Sequence, residues 1–463
     1  MRQRAFAPVD IASLVFFRIA FGLLMVWQVW TYFANGWIAL HWLEPRFLFK
    51  YYGFSWVHPW PGNGLYIHWV LLGVLALFVA AGFLYRISAV LFFLSYTYFF
   101  LLDQGRYVNH TYLICLFSFL LVFTPAHRAF SIDAWLWPKL RSNTAPAWSL
   151  WLLRIQMGGV YFFAGVAKLS SSDWLHGEPL GYFLANLAGF PLVERFFRHE
   201  WFAYTASYSA LAFDLLIVPL LVWRRTRIAA FCLALIFHLI NAFAFKIDIF
   251  PPFAIAATTL FFSPSWPRRI LSIFYPAAGS FCSDNRSLPS PRKQLIVFCL
   301  VAVYVLIQLV VPLLRFFDRG GVEWAYMEPS FSWQMMIRRQ TFYGRFYIND
   351  PNNGRTFRVH PLEYLGYEQM KRMAWRPDML VQFAHFLASI RLPAGPSPFK
   401  VQARLYFSVN GRKPQLFIDP TVDLAAEQRI LGRPRWLLRV DQPLPPYGQH
   451  YSANPFAIGF GPD

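Results

Sequence analysis

The sequence predicts a polytopic α-helical membrane domain followed by a soluble, strand-rich α+β domain. The 463 residues are 57% hydrophobic and 20% aromatic but only 14% charged, which is more apolar surface than a soluble core requires. Apolar segments long enough to cross a bilayer recur through the first 315 residues. Beyond them, short stretches with alternating apolar and polar residues indicate strands. We therefore divide the chain into residues 1–315 and residues 316–463.

The apolar segments indicate eight or nine membrane-spanning helices. A helix needs about 20 apolar residues to cross the hydrocarbon core. Eight segments approach or reach that length: 11–31, 66–84, 86–102, 108–125, 149–169, 201–223, 227–246 and 293–315. The segment 250–263 is shorter and would span only with the help of its neighbours.

Two further stretches of the first domain do not read as spans. Residues 41–60, HWLEPRFLFKYYGFSWVHPW, are rich in aromatic side chains but interrupted by charges and prolines. This composition favours a segment at the membrane surface, where aromatic rings settle at the headgroup level. Residues 264–292 are polar and carry Pro and Ser, which indicates a linker.

The formal net charge of +19 first suggests nucleic acid as a partner. Much of this charge, however, lies in short loops between apolar segments, where it sets the orientation in the membrane, so we predict no nucleic-acid partner. With nine spans, the Lys- and Arg-rich loops face the cytoplasm and the second domain is extracytoplasmic; with eight spans it would be cytoplasmic. The membrane would be the inner membrane of a bacterium or the endoplasmic reticulum of a eukaryote.

The second domain combines strands with a helix. Alternation predicts strands within 330–339, 341–350 and 356–360. Residues 401–419 read as two strands around an Asn410-Gly411 turn, a strong hairpin signal. The spacing of apolar residues over 377–390 predicts a helix.

Five polar residues within or beside the spans mark a candidate site. Asn109 and His110 begin one span, Lys168 ends another, and His238 and Asn241 share one face of a third. In the nine-span topology, the ends that carry them meet at the outer side of the membrane. Ionisable residues on separate spans at one depth indicate a functional site, so we expect these five residues to line one cavity that opens to the second domain.

Each of these residues also has a structural interpretation. Lys168 could anchor its helix by extending its amine to the headgroups. His110 could cap a helix at the interface. His238 and Asn241 could form hydrogen bonds between helices.

Other polar residues in the apolar runs read as structural. We expect Arg18 and Arg154 to pair with Asp214. The four cysteines match no metal motif, and we predict no metal site.

Six stretches of the chain resemble vitamin K-dependent γ-glutamyl carboxylases, in the same order along the sequence. The stretch RIQMGGVYFFAGVAKLSSSDWLHG (154–177) resembles the core of that family, and FLLDQGRYVNHTYL (100–113) and FHLINAFAF (237–245) resemble two of its helices. FSPSWPRR (262–269) is similar to the end of its membrane half. FSWQMM (331–336) and LFIDPTVDL (416–424) are similar to parts of its lumenal domain. The likeness runs from about residue 10 to about residue 440.

The resemblance implies a carbon–carbon lyase reaction. In that family a base deprotonates vitamin K hydroquinone, which reacts with molecular oxygen. The strong base that results removes a γ-proton from a glutamyl residue, and the carbanion adds carbon dioxide. The products are γ-carboxyglutamate and vitamin K epoxide. The co-substrates would be vitamin K hydroquinone, oxygen and carbon dioxide, and the partners a secreted or membrane peptide that contains glutamate and the membrane lipid.

The same resemblance implies roles for individual residues. Lys168 matches the lysine that initiates the reaction as a base. Asn109 and His110 are implied to act near the quinone or the carbanion. His238, Asn241 and Tyr112 are the candidate quinone-binding residues. The family's disulfide between the two domains cannot form in the same way, because no cysteine follows Cys299.

A lysine at the lipid edge loses hydration, and desolvation favours its neutral form, which can act as a base. A dry cavity also protects a reactive carbanion from water. The second domain would present the glutamate at the cavity mouth. The alternative is a non-catalytic or epoxidase-only relative that binds a quinone or a lipid in the membrane.

Overall fold

The structure, a computed structural model, has a helical N-terminal region followed by an antiparallel sheet, which confirms the predicted fold class. It describes residues 2–185, 194–197, 199–245, 247–274, 289–314, 330–374, 376–390, 399–430, 432–439, 442–447 and 449.

Ten helices of nine or more residues make up most of the described part of the first domain. They are α1 (Ala12–Ala34), α2 (Gly64–Ala81), α3 (Tyr85–Leu102), α4 (Asn109–Phe123), α5 (Ala147–Leu169), α6 (Glu200–Val222), α7 (Arg227–Phe245), α8 (Phe250–Thr258), α9 (Trp266–Phe274) and α10 (Pro291–Leu313). Among the described residues, seven helices are long and apolar enough to cross a membrane, while Asn109–Phe123 and Phe250–Phe261 are shorter. These correspond to the eight predicted spans and the short ninth.

Short elements connect the helices. Strands β1 (Pro8–Asp10) and β2 (Thr144–Pro146) pair antiparallel at the starts of α1 and α5. Helical turns lie at Arg2–Ala5, Ala39–Leu43, Gln104–Arg106, Ile132–Leu136, Pro138–Leu140, Ser172–Leu175, Leu180–Ala185, Glu194–Phe197 and Thr259–Phe261.

The expected pairing of Arg18 and Arg154 with Asp214 is wrong. Arg18 is fully buried and donates to the carbonyl oxygens of Ala126 at 2.8 Å and Phe130 at 2.6 Å. Arg154 donates to the carbonyl oxygens of Leu260 and Phe262, in and just after the helical turn that follows α8. Both guanidinium groups therefore donate hydrogen bonds to backbone carbonyls in turns of the chain. The carboxylate of Asp214 has another partner.

Helix α9 lies in the stretch that the sequence indicated as a linker. Its Arg268 donates to Asp10 at 3.0 Å and to Asn143 at 2.9 Å, so the helix is fastened to the start of α1. Ile273 and Phe274 are 74% and 73% exposed on its other side. The linker prediction is thus wrong for residues 266–274, and residues 275–288 lie outside the described residues.

In its described residues, the second domain has a four-stranded antiparallel sheet and two helices. Its strands β3 (Gln340–Asn349), β4 (Thr356–Val359), β5 (Lys400–Val409) and β6 (Gln415–Leu416) have the order β4-β3-β5-β6. Helix α11 spans Tyr367–Met373, and α12 spans Pro377–Ile390, which confirms the predicted helix. Asn410 and Gly411 have φ values of 48° and 75°, as a tight hairpin turn requires.

Residues 330–339 do not form the predicted strand, since β3 begins only at Gln340. Three of these residues have positive φ: Phe331 at 70°, Trp333 at 57° and Met336 at 56°. Trp333 is 1% exposed and belongs to the core of the membrane domain. The apolar side chains of this stretch, which we call the insertion segment (residues 330–337), are buried by the first domain instead of by a sheet.

The stretch 41–60 joins the two domains rather than only lying at the membrane surface. The backbone N–H of Arg46 donates to the carbonyl of Tyr364 at 2.8 Å, and that of Lys50 donates to Gln382 Oε1 at 2.8 Å. Phe49 is fully buried in the core of the second domain. The surface prediction therefore missed the role of residues 46–50, because their burial depends on a distant part of the chain.

Candidate functional site

Lys168 lies in the last turn of α5, buried against α6. Its Nζ donates to Asp214 Oδ2 at 2.6 Å, and the two residues are 5% and 4% exposed. Gly165, one turn earlier on α5, allows this approach: a Cβ there would lie 2.5 Å from Leu215 Cδ2 on α6. Lys168 is therefore a buried, paired lysine.

Trp174 covers the amine of Lys168. Nζ lies 5.0 Å from the centroid of the indole ring, a distance typical of a cation–π contact. The indole Nε1 donates to the carbonyl of Ser207 on α6 at 2.9 Å, which holds the ring in place. Asp214 and Trp174 thus limit the positions that the amine can take.

Asp173, the residue before Trp174, binds the second domain. Its carboxylate accepts from Arg412 Nη1 at 2.5 Å and Nη2 at 2.7 Å, and from Asn410 Nδ2 at 2.7 Å. Asp173, Arg412 and Asn410 are 6%, 5% and 1% exposed. The β5–β6 hairpin is thereby attached to Asp173, which follows Lys168 by five residues in the chain.

His238 lies on α7, fully buried, and its Nε2 is 2.7 Å from the hydroxyl of Tyr161 on α5. Its Nδ1 has no hydrogen-bond partner among the described residues. Tyr161 lies two turns before Lys168 and within electrostatic range of Asp214. Asn241 is half-buried, one turn further along α7.

Asn109, at the start of α4, holds the insertion segment. Its Oδ1 accepts from the hydroxyl of Tyr107 at 2.9 Å, and its Nδ2 donates to the carbonyl of Gln334 at 2.8 Å. The Tyr107 hydroxyl in turn accepts from the backbone N–H of Phe331 at 2.7 Å. The sequence did not predict this role, in which Asn109 positions part of the second domain.

Tyr112, one turn further along α4, stacks on the insertion segment. Its ring lies 5.2 Å from that of Trp333 at an interplanar angle of 28°, and 4.8 Å from that of Phe331. Phe100 on α3 extends the group, 6.2 Å from Tyr112. These rings, which we call the aromatic wall, lie beside Asn109, and those of Phe331 and Tyr112 meet edge to face at 71°.

His110 faces a carboxylate at longer distance, since its Nε2 is 3.9 Å from Asp248 Oδ2. Burial raises the pKa of Asp248, which lies in the turn between α7 and α8. Nearby, Arg106 Nη2 is 2.7 Å from His41 Nε2. Burial, together with the charge of Arg106, lowers the pKa of His41 to about 3, so His41 is neutral and accepts this hydrogen bond.

The predicted residues thus form two groups. In the part of the chain that the structure describes, no hydrogen bond or ion pair joins Lys168 directly to Asn109 or His110. The groups are neighbours through Phe250, two residues after Asp248, whose ring meets that of His238 at 5.7 Å. That all five residues line one cavity stays a prediction.

Sequence reasoning missed several residues around these groups, namely Asp173, Trp174, Asp214, Asp248 and Gln334. For Asp214 a signal was present, because a carboxylate within an apolar span needs a partner on another helix. No such sequence signal pointed to Gln334, because the alternation of residues 330–339 predicted a strand. Among the described residues, no cluster of three or more His, Cys, Asp or Glu side chains could hold a metal ion.

Comparison with known families agrees with this architecture. Residues 6–266 match the model of the HTTM domain, so the chain is a polytopic membrane protein of the HTTM-domain class. Residues 293–442 match the vitamin K-dependent gamma-carboxylase lumenal domain. With both domains in one chain, the protein belongs to the vitamin K-dependent gamma-carboxylase family. No solved structure matches the chain.

The two matched regions are separated by residues 267–292, and the second begins at the third residue of α10. The predicted domain boundary at 315/316 adjoins residues 315–329, which lie outside the described residues. The boundary therefore stays a prediction.

Proposed function

We propose that the protein is an integral-membrane vitamin K-dependent γ-glutamyl carboxylase. It converts peptide glutamate to γ-carboxyglutamate with carbon dioxide and oxygen, and this reaction is coupled to epoxidation of vitamin K hydroquinone. The presence of both family domains supports this function. The observation that carries the proposal is the buried amine of Lys168, held by Asp214 and Trp174 where the two domains meet.

Lys168 acts as the base. A lysine has a lone pair only when it is neutral, so a proton must first leave Nζ. Asp214 Oδ2, 2.6 Å away, takes this proton, and the neutral amine then accepts a proton from a hydroquinone hydroxyl. The ammonium that results lies against the face of Trp174, which stabilises a cation.

The residues around Asn109 fit a flat aromatic substrate. The wall of Tyr112, Trp333 and Phe331 is aromatic, and aromatic side chains pack with other aromatic rings in stacked or edge-to-face contacts. When bound, vitamin K hydroquinone supplies, with oxygen, the strong base that takes the glutamate γ-proton. Asn109 and Tyr112 orient the ring, while His238 and Asn241 bound the site on the α7 side. His110, opposite Asp248, orients the glutamyl side chain.

The second domain is extracytoplasmic and presents a glutamate-containing secreted or membrane peptide. The Lys and Arg bias of the loops supports this orientation. A topology reporter inserted at Asn352, in an exposed turn of the second domain, and another at Arg225 should report opposite sides of the membrane. Signals from one side at both positions would overturn the orientation.

The function is tested with the full-length protein in lipid nanodiscs. The protein is supplied with reduced vitamin K, a glutamate peptide, oxygen and radiolabelled carbon dioxide. We expect vitamin K epoxide together with label in the peptide. Epoxide without label would instead establish the epoxidase-only alternative, and neither product, from protein that remains folded, would refute the proposal.

A further inference from the structure

Gln334 is a buried amide with an oxygen that bonds to nothing in the described structure. The residue is 6% exposed, and its Oε1 has no hydrogen-bond partner among the described residues. Its neighbours Trp333 and Met335 both pack into the core of the membrane domain. Burying an unpartnered amide oxygen costs free energy, and a bound donor would offset that cost.

The backbone around Gln334 has an unfavourable conformation, which two hydrogen bonds from the first domain help to maintain. Phe331, Trp333 and Met336 have φ values of 70°, 57° and 56°, which side chains other than glycine rarely adopt. Such residues concentrate at ligand sites, where the surrounding contacts maintain them. Here these contacts are the Tyr107 hydroxyl on Phe331 and the Asn109 amide on Gln334.

The insertion segment also extends between the two groups of candidate residues. Its carbonyl at Gln334 binds Asn109, whereas Ile337 packs in one cluster with Ala167 and Trp174, the neighbours of Lys168. The amide of Gln334 therefore lies on the stretch of chain that connects the aromatic wall with the proposed base.

Because the unpartnered atom of Gln334 is the amide oxygen Oε1, a ligand group that binds it must be a hydrogen-bond donor. Beside it, Trp333 and Tyr112 stack on each other at 5.2 Å, and surroundings made of aromatic side chains favour an aromatic ligand. We infer that Gln334 Oε1 accepts a hydrogen bond from a hydroxyl of vitamin K hydroquinone. This inference rests on the proposed function.

Such a contact selects the reduced form of the substrate. The hydroquinone carries two O–H donors, whereas the quinone and the epoxide carry only oxygen acceptors. An acceptor aimed at an acceptor is left unpaired, which weakens binding. Gln334 is thus a specificity-determining residue that favours the substrate hydroquinone over the oxidised product.

The test measures binding of phylloquinone hydroquinone, kept reduced without oxygen, and of phylloquinone to the full-length protein in nanodiscs. We expect the wild type to bind the hydroquinone about tenfold more tightly, the effect of one hydrogen bond. Gln334→Met, which keeps the shape but removes the acceptor, should bind both forms equally. Its thermal stability without ligand should equal or exceed that of the wild type.

A matched control is Gln294→Met at the start of α10. Gln294 is also buried, at 8% exposure, but its Nε2 donates to the Pro289 carbonyl at 2.8 Å. This variant should lose stability and keep the preference for the hydroquinone. If Gln334→Met does not fold, Gln334→Leu tests the same loss of the acceptor.

The outcomes separate the inference from the proposed function. A preference unchanged in Gln334→Met would overturn the role of Gln334 and leave the carboxylase proposal intact. A rise in the KM for the glutamate peptide alone would also overturn it, because the amide would then bind the peptide. Wild-type protein that binds neither form of phylloquinone would overturn both.

Discussion

The two groups of the candidate site differ in how their charged and amide side chains are paired around Lys168 and beside Asn109. Around Lys168, polar side chains are buried and paired at short distance: 2.6 Å to Asp214, and 2.5 Å and 2.7 Å between Asp173 and Arg412. Around Asn109, His110 lies 3.9 Å from Asp248, and Gln334 keeps an unpartnered oxygen. The first group is arranged before any substrate arrives, which suits the role of base that we propose for Lys168. The second retains unused hydrogen-bonding capacity, which suits the binding of substrates.

The largest expected effect comes from removing Lys168, the base that we propose. Lys168→Ala should lower both epoxidation and carboxylation by about 10²–10⁴-fold, because general-base catalysis is lost. Lys168→Arg should fail as well, since a guanidinium stays protonated. Both products are measured in nanodiscs, with Lys371→Ala, an exposed lysine of α11, as the control. If Lys168 were only an anchor, Lys168→Arg would retain full activity.

The next effect concerns the domain contact beside Lys168. Arg412→Met leaves the buried carboxylate of Asp173 with the amide of Asn410 but without its charged partner, and should destabilise the protein by about 3–5 kcal/mol. Adding Asp173→Leu removes the unpaired charge, so the double variant should regain part of this loss. Thermal and denaturant unfolding measure both. A double variant less stable than Arg412→Met would contradict the account of a buried, mutually dependent pair.

The domain contact on the Asn109 side should respond to pH. Asp103 accepts from Phe49 N at 2.9 Å, Gly105 N at 2.9 Å and Gln369 Nε2 at 2.8 Å, and burial raises its pKa to about 6. Because the folded state holds this proton more tightly than the unfolded state, the contribution of Asp103 to stability is greatest below about pH 4. It should fall by about 3 kcal/mol as pH rises to about 6, then stay level. Asp103→Asn should remove that fall from the measured profile of unfolding free energy, and an unchanged profile would assign it to other groups.

A smaller effect is expected for Asp214, the proton acceptor that we propose for Lys168. Asp214→Asn keeps a hydrogen-bond acceptor but cannot take the proton from Nζ. Epoxidation should fall by about 10²-fold, or about 2.7 kcal/mol in the barrier. The single-turnover rate of epoxidation measures it, and quinol binding should not change. Wild-type rates would show that Asp214 only orients the lysine.

The smallest effect belongs to the insertion segment. Tyr107→Phe removes the hydroxyl that joins Asn109 to the backbone of Phe331. Loss of these bonds should cost about 1 kcal/mol of stability and raise the KM for the hydroquinone more than it lowers kcat. If the KM stays constant, the position of the segment does not govern substrate binding.

Local sequence patterns predicted most of the secondary structure. Side-chain partners and the burial of individual segments depend on contacts between distant parts of the chain. The helix 377–390 and the Asn410-Gly411 turn follow from spacing and turn chemistry within a few residues. Lys168 stood out because a charge in an apolar span is costly. The pairing of Lys168 with Asp214 could not be predicted from the local sequence, because Asp214 lies 46 residues away on another helix. Residues 330–339 were misread for a similar reason: their alternating apolar side chains are buried by a different domain.

The contact of residues 46–50 with the second domain bears on how the protein is made. Phe49 completes a hydrophobic core whose other members come from the C-terminal region, and Lys50 binds Gln382 across 332 residues of chain. At typical rates of synthesis, on the order of tens of seconds separate the emergence of the two partners from the ribosome. During that interval the aromatic side chains of this segment have no permanent place to pack. Insertion factors, chaperones or the membrane surface itself must shelter them until the last part of the chain arrives.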